Sequence, residues 1–225
     1  MEFRKFAPSN VGVRKVACIA VAFAMAIAAT TANAAPLTSS PPGFISPVPV
    51  EGDPLPSAVQ IAQTSLPFTG TGFSGVLVST VYRRPNDNNE LTFTYQLQNN
   101  AASANVLHRM TVSSFAGFTT DASTQAGGAG IIEPIVVDRS TPDVVGFSFL
   151  DGFGAGPIRP GQQSSLLVVE TDAITHVESR AAIIDGTTAT VGTFAPLMPI
   201  PEPATLALCA MGMLGLIGIV RKARR

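Results

Sequence analysis

The chain has 225 residues, a formal net charge of −1 and a mean hydropathy of +0.33, values that suit one or two soluble domains or a small membrane protein. The near-neutral total hides an uneven distribution: between Ala35 and Ile200 there are six Arg, no Lys and thirteen Asp plus Glu, a net charge of −7. An acidic central region argues against nucleic acid or anionic membrane surfaces as partners, since both call for basic patches.

At the N-terminus, Arg4, Lys5, Arg14 and Lys15 stand against a single Glu2, and Val16 to Ala29 is apolar and uncharged. Ala32, Asn33 and Ala34 follow as an Ala-x-Ala step. This three-part layout predicts a secretory signal peptide over residues 1–34, cleaved before Ala35. Fourteen apolar residues are too few to cross a hydrocarbon core of about 30 Å at about 1.5 Å per residue, which disfavours an anchor. Cys18 opens the apolar run instead of following it, so lipidation is not expected there.

Pro36 to Gln63 contains seven prolines and reads as an extended linker or leading arm, assigned to residues 35–66. Short strands follow over 67–196. Ser74 to Arg84 and Glu90 to Gln98 flank the polar turn "PNDNN". In the second of them Leu91, Phe93, Tyr95 and Leu97 share one face and Thr92, Thr94 and Gln96 the other, the alternation of a half-buried antiparallel hairpin. Further strands are expected at Val106 to Phe115, Ile131 to Val137, Val144 to Leu150 and Ser165 to Thr171. The last, Ala182 to Val191, folds back at Asp185-Gly186, where both residues accept positive φ.

No window shows a helical period, so the prediction is an all-β domain, a β-sandwich of Greek-key or jelly-roll type. Both cysteines, Cys18 and Cys209, lie in the apolar end segments, which leaves the domain to be held by its core without a disulfide.

Several strings imitate functional motifs. "LPFTG" (Leu66 to Gly70) has the pattern of a Gram-positive sortase signal, yet 155 residues follow it. "GTGFSG" (Gly70 to Gly75) leads into a strand, where no helix N-terminus waits for a phosphate, and reads as a turn. "GFGAGP" (Gly152 to Pro157) lacks a lysine and reads as a loop, and the proline-glycine step in "IRPGQQ" is a turn before a strand.

The catalytic inventory is thin. His108 and His176 are the only histidines, and His108 is placed in a strand. Glu170, Asp172, His176 and Glu178 in "ETDAITHVE" are possible metal ligands at a spacing that fits no specific motif, and a solvated strand edge is favoured. The acidic turns "PNDNNE" and "DRSTPD" lack the alternating ligands and fixed glycine of an EF-hand loop. No metal or cofactor is expected. With no Trp, and with Tyr82 and Tyr95 as the only tyrosines, an aromatic sugar platform is not expected either, although polar recognition through loops stays open. The Thr-x-Thr steps at Thr69, Thr92 and Thr188 share no period and read as exposed strand or turn threonines.

After the domain come Pro201-Glu202-Pro203, an apolar run of 17 residues from Ala204 to Val220, and Arg221, Lys222, Arg224 and Arg225. The run is at the short end of what spans a bilayer as a helix, and its small residues suit a membrane helix. The basic end is a stop that stays in the cytoplasm, which puts the region after Ala35 outside. The prolines keep their segment extended, a form that a protease can bind.

This tail, residues 197–225 with the helix at 204–220 and the basic end at 221–225, resembles a PEP-CTERM sorting signal, the bacterial signal recognised by exosortase, a membrane-embedded protease or transpeptidase. The resemblance implies that Pro201, Glu202 and Pro203 are recognition residues for exosortase, and that the helix holds the chain at the inner membrane only until processing.

The expected partners are the secretion machinery and exosortase, with an exopolysaccharide or cell-surface glycan as a further candidate. The functional expectation is a non-enzymatic surface or extracellular-matrix protein with a structural or adhesive role; the alternative is a polysaccharide- or calcium-binding module.

Overall fold

A computed structural model describes residues 34–38, 43–51, 55, 57–125, 131–149 and 156–197. The expected signal peptide, apart from Ala34, and the expected transmembrane helix lie outside the described residues. Among the described residues every regular element is a strand, and no helix is long and apolar enough to cross a membrane.

In chain order the strands are β1 (Ala35–Pro36), β2 (Gly43–Ile45), β3 (Val50–Glu51), β4 (Val59–Gly70), β5 (Phe73–Arg84), β6 (Glu90–Asn99), β7 (Arg109–Val112) and β8 (Thr120–Gln125). They continue as β9 (Ile131–Ile132), β10 (Val136–Thr141), β11 (Val144–Ser148), β12 (Gln163–Ser164), β13 (Leu166–Thr171), β14 (His176–Ile184) and β15 (Thr188–Pro196).

Two sheets form. In the first, β4, β5, β6, β13 and β8 lie side by side, β1 and β3 cover the outer edge of β8, and β12 and β9 extend the β6 side. The second runs β15-β14-β7-β11-β10-β2. Strands distant in sequence are neighbours: β13 sits between β6 and β8, and β14 beside β7.

One core lies between the sheets. The first contributes Leu77, Val81, Leu91, Phe93, Leu97 and Leu167, the second Met110, Val112, Val145, Phe147 and Ile183, all fully buried. Each such side chain contributes about 1.5–3 kcal/mol by leaving water. Tyr95 is equally buried and keeps its hydroxyl satisfied by donating to the carbonyl oxygen of Phe194 in β15 at 2.9 Å, a bond that ties one sheet to the other.

The hairpins expected around "PNDNN" and Asp185-Gly186 are present, with Asn88, Asn89 and Gly186 at positive φ. Thr71-Gly72 turns β4 into β5. Gly72 has φ +84°, and a Cβ there would lie 2.6 Å from the Asn105 side chain.

The half-buried reading of β6 is corrected by the structure, because Thr92 and Thr94 on its second face are also buried. The register places Thr94 between Thr80 and Val168, and Thr92 between Tyr82 and Glu170, so each is flanked on both sides by side chains of the neighbouring strands.

The proline-rich stretch is tied into both sheets. β1 and β3 pair with β8, β2 pairs with β10, and Leu37 and Val48 enter the core. The boundary drawn after residue 66 falls inside β4. Pro67 is compatible with that strand because β4 is an edge, where a missing N–H costs no ladder bond. Pieces of two or three residues have no readable period, which is why the arm gave no strand signal.

Candidate functional site

Two polar features stand on the outer faces of the sheets. The first is a hub around Arg84, the last residue of β5. Its guanidinium donates to Asp87 at 3.3 Å, Glu90 at 3.2 Å and Glu170 at 3.2 Å, and to the carbonyl oxygen of Thr171 at 3.1 Å. The strands bring these groups together. Arg84 and Glu90 are register partners across the hairpin, and Glu170 of β13 stands beside Asp121 of β8. Arg84, Glu90, Asp121, Glu170 and Asp172 line a small pocket of about 170 Å³.

Carboxylates outnumber the cation there. Burial pushes the Glu170 carboxyl up, and Arg84 pulls it down less than burial, Glu51, Asp121 and Asp87 together push it up. Asp121 is raised by burial against the pull of the same guanidinium. Glu51, nearby on β3, is raised by burial. The hub therefore holds protons more tightly than free carboxylates do, and Arg84 stands where a bound cation would sit. Among the described residues no group of three His, Cys, Asp or Glu side chains is placed to hold a metal ion.

The second feature is an open groove of about 690 Å³ on the second sheet, lined by Ser113, Ser114, Glu178, Ser179, Arg180 and Thr190, among others. Ser179 Oγ lies 3.1 Å from Ser114 Oγ and 3.5 Å from Ser113 Oγ, and donates to the Ser113 carbonyl oxygen at 3.2 Å. Ser114 holds a positive φ of 80°, and its N–H donates to Asp143 at 3.0 Å. That conformation costs of order 1–3 kcal/mol in a residue other than glycine. The groove presents hydroxyls flanked by one cation and one anion.

The residues singled out in "ETDAITHVE" separate in space. Glu170 and Asp172 belong to the Arg84 hub, His176 packs edge-on against the Phe194 ring at 5.4 Å, and Glu178 faces the serine groove. His108 is held through its backbone, its N–H donating to Ile184 and its carbonyl accepting from Phe149. In "DRSTPD", Asp138 makes a two-pronged pair with Arg109, at 2.5 and 2.8 Å, and Asp143 is taken by Ser114. Both acidic turns thus spend carboxylates on internal partners. The reading of Thr92 as an exposed threonine is corrected with its neighbour Thr94, for the reason given by the register.

The serine groove was not anticipated. Ser113 and Ser114 are adjacent in the chain, but Ser179 joins them only because β14 pairs with β7.

Of the residues expected at the signal cleavage site, Ala34 and Ala35 are described, and Ala35 is the first residue of β1, paired with Ala122. Ala32, Pro201, Glu202, Pro203, Arg221, Lys222, Arg224 and Arg225 lie outside the described residues. β15 ends at Pro196, and the Leu197 N–H donates to the Thr175 carbonyl oxygen at 3.0 Å.

Directly beyond that point, residues 199–225 match the family model of the PEP-CTERM protein-sorting motif. The chain carries a PEP-CTERM sorting motif. It marks an exported protein whose precursor is anchored in the membrane and processed by exosortase. No curated protein and no solved structure matches the chain. The PEP-CTERM match covers the tail and leaves the β-domain's own role to its chemistry.

Proposed function

We propose that this is a non-catalytic surface or extracellular-matrix protein with a structural or adhesive role, released into place by cutting at both ends. The PEP-CTERM motif, starting two residues after the described residues end, carries this reading. Signal peptidase would cut before Ala35 and leave β1 whole, since Ala35 is its first residue. The secretion machinery delivers the chain, and the helix at 204–220 holds it in the inner membrane with Arg221, Lys222, Arg224 and Arg225 inside. Exosortase then recognises Pro201, Glu202 and Pro203. The interleaved strand order supports the Greek-key or jelly-roll class for the domain.

The test is fractionation of host cells carrying the native chain or one with Pro201, Glu202 and Pro203 all replaced by alanine. The native domain is expected at the surface or in the medium, and the variant in the membrane fraction. Equal distribution would contradict the reading. Hydrolytic activity of the native protein that is lost on His108→Ala or His176→Ala would overturn the non-catalytic part.

The serine groove favours a second reading, a polar polysaccharide site. Hydroxyls, Arg180 and Glu178 offer donors and acceptors without a flat aromatic face. A glycan isotherm abolished by Arg180→Ala would promote it. Calcium is the weaker form of that alternative, because the acidic turns already hold Arg84 and Arg109; a thermal midpoint that does not move with calcium removes it.

A further inference from the structure

We propose that the free edge of β4 pairs antiparallel with the same strand of a second copy of this chain, centred near Thr64. Among the described residues β4 pairs with β5 alone and β15 with β14 alone, so both sheets end in long strands on this side of the molecule. The two ends lie against each other: a Cβ on Gly192 in β15 would meet Leu66 Cδ1 of β4 at 3.0 Å. A strand edge of this length presents a row of N–H and C=O groups ready to pair.

Charge selects the occupant. The domain is strongly acidic, so two copies repel one another across most of their surfaces. Residues 54–82 contain no charged residue, and neither do Gly186 to Leu197, so the side built from β4, β5 and β15 is where a copy can approach without that penalty. Val59, Ile61 and Leu66 are exposed there and would lose water on pairing.

The geometry also limits the assembly. A bulge lies between Gln60 and Ala62, and Pro67 has no N–H to give, so the regular ladder available to a partner is short, Ala62 to Leu66. A two-fold axis through Thr64 sets Ala62 against Leu66 of the other copy, and the symmetry closes a dimer instead of propagating a fibre. The inference rests on the fold and holds whether or not the tail is processed.

The test is disulfide trapping in the protein recovered from host cells that express the full chain. Antiparallel partners have Cα atoms about 4.5–5.5 Å apart, within disulfide range. Thr64→Cys is expected to give, on oxidation and without reductant, a covalent species of twice the mass of the recovered product, while Phe44→Cys, on the exposed surface of β2, stays at the background of the parent, to which Cys18 and Cys209 add only in chains that keep their ends. The double variant Gln63→Cys/Ser65→Cys, whose two positions face each other across the same axis, repeats the test if Thr64→Cys fails to accumulate. Dimer from either above the Phe44→Cys level upholds the pairing. Dimer from neither of them, equal dimer from Phe44→Cys, or an adduct whose mass shows a different polypeptide overturns it.

Discussion

On one side of the β-domain the outer strands β8 and β10 are covered by the two- and three-residue pieces β1, β3 and β2, whereas on the other β4 and β15 run for twelve and nine residues with no described neighbour beyond them. The covering pieces come from the proline-rich arm, and proline suits that work, since it can lie along an edge without offering a new ladder. The bare strands are uncharged, lacking the lysines that commonly guard an edge. One chain thus seals one pair of edges and leaves the other available. The difference teaches that the arm is part of the folded domain, and that the open side is where contact with another molecule is cheapest.

Four experiments bear on that contrast. The largest effect is expected at Arg139, on the covered side. Its guanidinium is buried and donates to the carbonyl oxygens of Phe115 at 2.6 Å, Phe118 at 2.9 Å and Pro142 at 2.7 Å, and to Thr120 Oγ1 at 3.0 Å. Arg139→Met removes all of these at once, and urea unfolding should show a loss of about 3–5 kcal/mol. A loss under about 1 kcal/mol would mean that these acceptors find other donors.

Leu37→Ala comes next. Leu37 is 3% exposed, and its N–H donates to the Thr120 carbonyl oxygen at 2.7 Å. A docked arm predicts a cost of about 2–5 kcal/mol in the same assay. A free linker would cost about 0.5 kcal/mol or less, and the covered side would then not be covered.

The third effect is a pH dependence from the Arg84 hub. Glu51, Asp121 and Glu170 are raised above the ordinary carboxylate range in the folded state, so the folded chain binds their protons more tightly than the unfolded chain does. That contribution is complete below the unfolded values and is lost as pH rises through the raised folded ones. The thermal midpoint should therefore fall from mildly acidic to neutral pH, and Glu170→Gln should flatten the slope. A midpoint that climbs over the same interval would contradict the hub's electrostatics.

The smallest effect on stability is expected from Ser65→Lys on the exposed edge of β4, within about 0.5 kcal/mol of the parent. Its consequence lies in association: sedimentation should show the variant losing a dimer that the parent forms. A change in stability without a change in mass would move the importance of β4 from contact to folding.

Much of the fold was legible where one physical signal dominated. β5 and β6 were readable because Leu91, Phe93, Tyr95 and Leu97 alternate cleanly around a turn of Asn and Asp. The tail was readable because tripeptide, apolar run and basic end stand in a fixed order. The arm was not, since β1 to β3 are too short to show a period and seven prolines argue for an extended chain that happens to dock. The polar features were hidden for another reason. Arg84 meets Glu170 across 86 residues and Ser114 meets Ser179 across 65, contacts made by strand order and not by any local spacing.

The central claim is that the chain is exported and cut at both ends around one folded β-domain. Intact-mass analysis of the protein recovered from host cells and medium, with and without the sorting protease, tests it most directly. The account predicts a product that starts at Ala35 and ends near Pro201 when the protease is present, and a product that keeps Ala204 to Arg225 when it is absent. Retention of Ala204 to Arg225 in both strains would contradict it.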